Sequence, residues 1–302
     1  NVLQNLAIYL WKSILNNFTR NGMELLETLH KSADLIRSSK RILLLTSAGM
    51  SADSNIPTFR DKDGYWKNFP PFKEKNLEAQ DLASPWAFRN ELPHAWAFYE
   101  WRRRNANENR PHEGYRIINE WFKKCDGFIH TTNTDGFHLI SGCDKKKILE
   151  VHGSMWRLQC LNTCTHQYWE DSSVPLCDLD NLTMKASNYP SCIQCRGIAR
   201  PHILMFGDGE YVGHPEQESN FKSFLEDPVD LAILVGSSGA VPTNDYIALH
   251  LKQRGTAVIN INLDANSNGI VNTDLFIEMK GKEAFIKLNK IAFGEDENAI
   301  NH

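Results

Sequence analysis

Short apolar runs that end in small or polar residues recur along this chain of 302 residues and constrain its fold. The runs Ile42–Leu45, Leu231–Val235 and Val258–Ile261 are typical of buried strands. Helical spacing of apolar residues occurs between such runs and also before the first one, from Glu24 to about Ser38. Strands that alternate with helices form a parallel sheet covered by helices on both faces. The sequence therefore predicts an α/β fold.

Polar clusters follow the predicted strands where the chain leaves the sheet. Two further strands are predicted at Gly127–Thr132 and Lys145–Val151. The clusters are Ser47–Ser51, Asn133–Asp135, His152, Gly236–Ser238 and Asn262–Asp264. Open α/β sheets bind ligands at the carboxyl ends of their strands. Packing alone does not explain five clusters in the same relative place, so we expect a Rossmann-like sheet with a ligand site along one edge.

Charge and cysteine content narrow the class of protein. A net charge of -4 argues against a nucleic-acid binder, which usually carries a basic balance. Seven cysteines cannot all pair, which favours a reducing, cytoplasmic location over a disulfide framework. No window approaches the roughly 20 apolar residues of a membrane span. We expect neither a membrane nor a nucleic-acid partner, and we expect a monomer.

The turn after the first strand, Thr46–Gly49, consists of small residues that let a ligand approach the backbone. N–H groups at the start of the next helix would face a phosphate, although an ordinary tight turn has the same composition. The following segment is Ile56-Pro57-Thr58-Phe59-Arg60. Pro57 excludes a regular helix there, so a loop that continues to Trp66 is expected.

Four cysteines fall in two tight pairs, Cys160 with Cys164 and Cys192 with Cys195. Four thiolates suit a closed tetrahedral Zn²⁺ site, which would hold together a polar insert that cannot build a core of its own. Such a site leaves no open position, so a structural role is expected rather than a catalytic one. The alternative is two pairs of free cysteines.

Three polar residues at the expected ligand edge are candidates for catalysis. His152 ends a strand and precedes a glycine, which favours a general base over a purely structural histidine. Asn133 and Asp135 alternate along an extended segment, so both side chains would face one hydroxylated ligand. The alternative for Asp135 is an Asx turn or a helix N-cap.

Together these motifs resemble the sirtuin family of NAD-dependent protein deacylases over about residues 25–291. The matching stretches are Ser47–Ser51, Ile56–Arg60, Thr132–Asp135 with His138, Glu150–Ser154, the cysteine pairs, Arg200–Asp208, Gly236–Ser238 and Asn262–Asp264. The resemblance implies that NAD and an acyl-lysine protein or peptide give nicotinamide, free lysine and O-acyl-ADP-ribose. It also implies one structural Zn²⁺ per chain, bound by the four paired cysteines.

The resemblance further implies a role for each matched residue. His152 would act as general base on a ribose hydroxyl, and Asn133 and Asp135 would orient the ribose and the carboxamide. Phe59 would shield the reactive carbon from water. The expected NAD contacts are Ser47, Ala48, Gly49, Ser51, Pro57, Thr58, Phe59, Arg60, Trp66, Thr132, Asn133, Thr134, Asp135, Gly236, Ser237, Ser238, Asn262, Leu263, Asp264 and Glu283.

One further motif indicates which class of acyl group the chain would accept. Tyr99 and Arg102 match the Tyr-x-x-Arg of sirtuins that accept succinyl and malonyl groups, and Ala83 stands where those enzymes have a small residue. A guanidinium and a phenol bind a carboxylate through charge-assisted hydrogen bonds. Phe206 and Gly207 match the segment that leads into the peptide cleft. Otherwise Tyr99 is a core aromatic and Arg102 is one of three surface arginines at 102–104.

The chain departs from the family pattern at four positions. Ser47 and Asn55 replace glycines, Thr132 replaces a glutamine, and Ser237 replaces a threonine. A serine at position 47 is expected to force the turn open, because glycine tolerates backbone angles that serine does not. These departures leave two alternatives on the same scaffold. One is an NAD glycohydrolase or ADP-ribosyltransferase, and the other is a non-catalytic NAD-binding module.

The expected organisation is one large domain that carries an insert. Residues 1–22 form an N-terminal extension, with Met23 as a plausible natural start, and residues 293–302 form a tail. The NAD-binding domain comprises residues 23–153 and 207–292, with a helical module at about 72–110. The zinc insert comprises residues 154–206, where little periodicity is present.

Overall fold

The computed structural model of the chain describes residues 22–58, 65, 69–269 and 271–294. Three predicted NAD contacts, Phe59, Arg60 and Trp66, lie outside the described residues. Most of the predicted extension and tail also lies outside them. Within the described residues, no helix is long and apolar enough to cross a membrane.

Eleven strands form three sheets in the part of the chain that the structure describes. The strands are β1 (Arg41–Thr46), β2 (Asp126–Thr131), β3 (Ile148–Glu150), β4 (Gly153–Cys160), β5 (Tyr168–Glu170), β6 (Asp178–Asp180), β7 (Lys185–Ser187), β8 (Ala199–Ile203), β9 (Leu231–Val235), β10 (Ala257–Asn262) and β11 (Leu275–Glu278). The main sheet has the order β3-β2-β1-β9-β10-β11. All its pairs are parallel, which confirms the predicted Rossmann-like fold.

The register of the main sheet aligns the polar clusters. Thr46 pairs with Thr131 on one side and with Val235 on the other, and Val235 pairs with Ile261. The residues that follow these strands therefore start at the same level. The order of the strands also reverses between β1 and β9, and a crevice at such a switch point is where α/β sheets bind ligands.

Helices cover both faces of the main sheet. They span 22–38, Ala48–Ala52, Pro70–Glu74, Ala79–Leu82, Pro85–Asn90, Leu92–Glu108, Glu113–Phe122, Phe137–Ile140, Pro215–Phe224, Thr243–Gln253 and Gly281–Phe293, with short 3₁₀ turns at Lys145–Lys147 and Ala265–Asn268. Alternate residues of β1 enter two separate apolar cores. Ile42 and Leu44 belong to the larger core, whereas Leu43 and Leu45 belong to the smaller one.

Two predicted elements are shorter or more broken than the sequence pattern indicated. The helical module predicted at about 72–110 consists of separate helices, because Ser84 caps a new helix by accepting from the Ala87 N–H at 3.2 Å and Pro85 follows it. The strand predicted at Lys145–Val151 begins only at Ile148. Before it, the Asp144 carboxylate accepts from the Lys146 N–H at 2.9 Å and starts a 3₁₀ turn.

Residues 154–206 contain more regular structure than their sequence indicated. Strands β5, β4 and β8 form an antiparallel sheet, and β6 and β7 form a separate hairpin. Little periodicity was visible there because three of these strands have only three residues each, which is too short to show a period of two. The division of the chain into a domain and an insert stays a prediction.

Charged side chains from one helix bind the irregular segment between β5 and β6. Arg103 donates to the carbonyls of Met155, Asp171 (2.9 Å) and Ser173 (2.7 Å). Arg104 donates to the Cys177 carbonyl at 2.9 Å, and Glu100 accepts from the Cys177 N–H at 3.3 Å. The alternative of three surface arginines at 102–104 is therefore wrong, because Arg103 is fully buried and its neighbours are half-buried.

Candidate active site

Two glycines bring the turns after β1 and β9 into direct backbone contact. The Ser47 N–H donates to the Val235 carbonyl at 2.9 Å, and the Gly49 N–H donates to the Gly236 carbonyl at 3.1 Å. A Cβ on Gly49 would lie 2.5 Å from the Gly236 Cα, and a Cβ on Gly236 would overlap the Gly49 backbone. Gly236 also has φ of +65°, which favours glycine. The crevice between the two strands is thus lined by bare backbone.

Ser47 occupies its turn without backbone strain. Its φ of −131° and ψ of −173° lie in the extended region that any residue adopts. The expectation that serine forces the turn open was therefore wrong, because this position does not need the angles that only glycine tolerates. Asn55, which replaces the other glycine, does have a positive φ of 59°. Asparagine tolerates that region better than most residues.

A buried hydrogen-bonded set joins Ser51, Asn133 and Asp135. The Ser51 hydroxyl donates to Asp135 Oδ2 at 2.6 Å and accepts from Asn133 Nδ2 at 3.0 Å. Asn133 Nδ2 also donates to the Ser47 carbonyl at 3.0 Å. The structure therefore brings the polar residues after β1 and β2 together, as the sequence predicted.

Asp135 also makes the Asx turn that was the alternative for it. Its Oδ1 accepts from the Phe137 N–H at 2.9 Å, while its carbonyl accepts from the Trp156 indole N–H at 2.6 Å. Burial raises the pKa of the Asp135 carboxyl, and the hydrogen bond from Ser51 opposes that shift. The turn and the contact with Ser51 use different oxygens, so the two roles do not exclude each other.

His152 follows β3 beside Thr132. Burial lowers the pKa of the imidazole below its ordinary value of 6.5, and the Thr132 main chain opposes that shift. The next residue is Gly153, with φ of +77°, and a Cβ there would overlap the carbonyl oxygen of His202 on β8. His152 is therefore a neutral, half-buried imidazole where the two sheets meet.

His138 lies in the core behind the set rather than in the crevice. Its Nε2 is 3.0 Å from the Thr46 hydroxyl, and its ring packs edge-on against Tyr115 with the centroids 4.8 Å apart. Burial lowers the pKa of His138 to about 3. A histidine held neutral in this way supports the neighbouring strands.

The residues predicted to bind the acyl group meet beside Thr134. Arg102 Nη2 donates to the Thr134 hydroxyl at 3.1 Å, and the guanidinium lies 5.4 Å from the centre of the Tyr99 ring. The Tyr99 hydroxyl is buried and has no hydrogen-bond partner among the described residues. Burial raises the pKa of Tyr99, so its proton is retained at neutral pH.

Ala83 and Phe206 are also brought together. The Phe206 N–H donates to the Ala83 carbonyl at 2.9 Å, and Phe206 itself is exposed. Gly207 follows with φ of +69°. Asp208, the next residue, anchors this segment because it accepts from both terminal nitrogens of buried Arg200 at 2.7 and 3.1 Å.

The remaining predicted NAD contacts are spread over separate segments of the chain. Asn262 donates through its side-chain amide to the Ser237 carbonyl, and Ser238 is exposed. Asp264 caps a 3₁₀ turn by accepting from the Asn266 N–H at 2.9 Å, and Leu263 is 60% exposed. The Glu283 carboxylate pairs with Lys287 at 2.8 Å on the last helix.

The four predicted metal ligands form one cluster. The sulfur atoms of Cys160, Cys164, Cys192 and Cys195 all lie within 4.8 Å of one another. Four thiolates at such distances fit a tetrahedral Zn²⁺, and Cys125, Cys143 and Cys177 lie outside the cluster. The predicted assignment of ligands therefore agrees with the geometry.

A cleft of about 920 Å³ lies elsewhere, at the β3 edge of the main sheet. Its lining includes Arg157, Tyr168 and Gln217 but none of the predicted site residues. Arg157 pairs there with Glu150, and both side chains are buried. This cleft is therefore separate from the crevice at the carboxyl edge.

Sequence reasoning missed several residues that hold the site. Tyr115 places its hydroxyl 3.1 Å from that of Ser51, and Asn244 donates to the Thr46 carbonyl at 2.8 Å. Tyr115 was indistinguishable from the apolar face of its helix. Asn244 lies in the first turn of a helix beyond the Gly236–Ser238 motif, and no local signal marked it.

Comparisons with known proteins agree with this geometry. A model of the Sir2 family matches residues 47–243. An NAD-dependent protein deacylase of Pyrococcus furiosus is 30% identical over 264 residues, covering 86% of this chain and 96% of that protein. One from Leptospira interrogans is 32% identical over 250 residues, covering 82% of this chain and 92% of that protein.

Solved structures share the fold. A Sir2 homologue in complex with ADP-ribose superposes with a TM-score of 0.70 at 28% identity, covering 87% of this chain and 95% of that chain. A Sir2 homologue in complex with NAD gives a TM-score of 0.70 at 27% identity, covering 86% of this chain and 93% of that chain.

Proposed function

The chain belongs to the Sir2 family, and from that premise we propose that it is an NAD-dependent protein-lysine deacylase. In this reaction NAD, water and an acyl-lysine side chain give nicotinamide, free lysine and O-acyl-ADP-ribose. The observation that carries the proposal is the buried set of Ser51, Asn133 and Asp135 beside the bare backbone of Gly49 and Gly236. A sugar needs the polar groups, and a pyrophosphate needs close access to the backbone.

The residues present fit NAD at the crevice between β1 and β9. Gly49 and Gly236 leave no side chain between the two turns, and Asn133 and Asp135 lie next to them with His152 on the adjacent strand end. When bound, NAD would supply a ribose carbon that exchanges nicotinamide for the acyl oxygen. His152 would accept a proton from a ribose hydroxyl, because its lowered pKa keeps the imidazole neutral.

The test is mass spectrometry of the purified chain with NAD and matched peptides carrying acetyl-lysine, succinyl-lysine or unmodified lysine. We expect nicotinamide and O-acyl-ADP-ribose only when an acylated peptide is present. The His152→Ala variant should lose at least about 100-fold in turnover, the usual contribution of a general base. His30→Ala, an exposed histidine on the first described helix, is the matched control.

Two results would contradict the proposal. Release of nicotinamide that ignores the acyl peptide would indicate the NAD glycohydrolase alternative. NAD binding without any turnover would indicate the non-catalytic alternative. Full deacylation by His152→Ala would remove the assigned base while leaving the reaction class intact.

We further propose that acidic acyl groups are preferred substrates. The buried Tyr99 hydroxyl lacks an acceptor among the described residues, and the Arg102 guanidinium lies against the Tyr99 ring. The carboxylate of a succinyl or malonyl group would accept from both side chains. Arg102 also donates to Thr134, the residue directly before Asp135. The residues proposed to bind the acyl group therefore lie next to the residues proposed for catalysis.

The acyl preference is tested with Tyr99→Phe, which removes only the hydroxyl. We expect kcat/KM for a succinyl peptide to fall about tenfold and kcat/KM for an acetyl peptide to stay within about twofold. Phe98→Tyr, the neighbouring ring on the same helix, serves as a control for general effects on this helix. Equal losses for both peptides would contradict the acidic-acyl preference.

The remaining parts of the proposal concern partners and location. The substrate would be an acylated protein, as the names of the relatives suggest for those proteins. The four clustered thiolates would hold one structural Zn²⁺. Location in the cytoplasm, the monomeric state and the absence of nucleic-acid binding stay predictions.

A further inference from the structure

Two residues outside every recognised motif contact the serine-bearing turns of the crevice. Asn244 and Asp245 lie in the first turn of helix Thr243–Gln253, and both side chains are fully buried. The short loop from Gly236 to Pro242 brings this turn to the carboxyl edge of the main sheet. Their hydrogen bonds reach two of the four positions at which the chain departs from the family pattern, Ser47 and Ser237. Ser47 is in turn hydrogen-bonded to a third such position, Thr132.

Asn244 is fixed in one orientation. Its Nδ2 donates to the Thr46 carbonyl at 2.8 Å and to the Ser47 hydroxyl at 3.1 Å. A carbonyl oxygen can only accept, so Nδ2 must face it and Oδ1 must face His130 Nδ1 at 2.7 Å. His130 therefore carries its proton on Nδ1. Burial lowers the pKa of His130 to about 4, so the ring is neutral and the contact is maintained at neutral pH.

Asn244 and Thr132 together hold Ser47. The hydroxyls of Ser47 and Thr132 lie 3.2 Å apart. Ser47 stands at the N-cap of helix Ala48–Ala52, yet its side chain makes no capping hydrogen bond and is directed to Thr132 and Asn244 instead. Ser47 replaces a family glycine and Thr132 replaces a family glutamine. The two departures are therefore hydrogen-bonded to each other, and Ser47 is also hydrogen-bonded to Asn244.

Asp245 holds the second turn in the same manner. Its Oδ2 accepts from the Ser237 hydroxyl at 2.6 Å, while its Oδ1 is buried without a partner among the described residues. Ser237 is the third departure. Its carbonyl accepts from the Asn262 amide at the end of β10, so the turn is held from two sides.

We infer that Asn244 and Asp245 are positioning residues of the dinucleotide site, that Ser47 and Ser237 are matched to them, and that Thr132 is matched to Ser47. This inference rests on the proposed function, because NAD is the ligand that both turns would contact. Restoring the family glycine at position 47 would remove two hydrogen bonds from the network without relieving any backbone strain. Ser47→Gly should therefore weaken NAD binding in this chain.

The test is a double-mutant cycle read by calorimetric NAD binding. We expect Ser47→Gly and Asn244→Ala each to raise the Kd for NAD about fivefold, the loss of about one hydrogen bond. In the double variant the increase should be well below the 25-fold product, because the two residues share an interaction. Ser39→Gly, at the amino end of β1, is the matched control and should leave the Kd unchanged.

A second pair of variants separates positioning from general stability. Asp245→Ala should raise the Kd and the KM for NAD about fivefold with kcat within about twofold, and Asp245→Asn should restore most of the affinity because its amide oxygen still accepts from Ser237. Unchanged NAD affinity in Ser47→Gly, or an increase in the double variant equal to the product, would overturn the inference alone. Failure of the unmodified chain to bind NAD would overturn the proposed function as well.

Discussion

The carboxyl edge of the main sheet and the predicted zinc insert (residues 154–206) are held together by different kinds of interaction. At the edge, in-register strands place Ser47, Thr132 and Gly236 side by side, and short hydrogen bonds between neighbours complete the site. In the insert, four thiolates meet from two distant pairs, and Arg103 on a helix of the main domain binds carbonyls of the irregular segment. The first arrangement is set by a backbone ladder and the second by the four-cysteine cluster and buried charge.

Because of this difference, the loss of a single side chain is expected to have a different effect in each region. A ladder distributes its energy over many backbone bonds, so the loss of one side chain at the edge changes binding more than folding. A metal site concentrates its energy in four ligands, and one loss removes most of it. The following changes test that contrast.

The largest effect is expected from the metal site. Cys192→Ser should abolish zinc binding, since a structural Zn²⁺ contributes on the order of 10 kcal/mol to the folding of small domains. We expect hydrogen exchange to rise in β4 and β8 while β1 and β9 stay protected. Metal analysis and hydrogen-exchange mass spectrometry measure both, with Cys125→Ser as control. Equal loss of protection in all four strands would remove the contrast.

The next largest effect is expected from the buried arginine. Arg103→Met keeps the length of the side chain but leaves the carbonyls of Asp171 and Ser173 without their donor. We expect the free energy of unfolding to fall by about 3 kcal/mol, the cost of losing several hydrogen bonds made by a fully buried guanidinium. Urea denaturation and limited proteolysis at 171–177 measure it. Arg116→Met removes an exposed ion pair and should change stability by less than about 1 kcal/mol.

A smaller effect is expected at the bare backbone of the crevice. Gly49→Ala places a Cβ 2.5 Å from the Gly236 Cα, so the two turns must separate at a cost of about 2 kcal/mol. We expect NAD affinity to fall at least tenfold, measured by calorimetry. Gly255→Ala, which has φ of +93° and no atom within 4 Å, is the control for backbone strain alone. Retained affinity in Gly49→Ala would show that the contact does not shape the site.

The smallest effect concerns pH. A general base must be neutral to act, and burial lowers the pKa of His152 below 6.5. Activity should therefore hold through pH 6.5 and fall only as the pH drops further, through the lowered pKa. The pH dependence of kcat/KM for an acyl peptide measures this. An acid limb centred above 6.5 would contradict the environment described for His152.

Sequence reasoning predicted the edge better than the insert, and the reason is physical. The strands β1, β9 and β10 are buried and mostly apolar, and the residues that follow them are fixed to one edge by the parallel topology. The insert offered only its cysteine spacing. Short strands carry no detectable period, and partners such as Arg103 and Asp171 are 68 residues apart.

Within the site, prediction failed where a role depended on a distant partner. Asp135 makes both the hydrogen bond with Ser51 at the predicted edge of the sheet and the Asx turn, because both follow from its position after β2. Asn244 and Tyr115 have no local signature, since an amide in a first turn and a phenol on an apolar face are ordinary. The assumed strain at Ser47 was wrong because sequence does not reveal backbone angles.

The arginine and glutamate contacts of helix Leu92–Glu108 also make the insert dependent on a distant part of the chain. Residues 171–177 obtain main-chain partners from Glu100, Arg103 and Arg104, which the chain supplies some seventy residues earlier. The insert is therefore not a portable unit. A graft of residues 154–206 into another scaffold would carry its zinc ligands and leave its donors behind, so the helix and the insert are expected to diverge together.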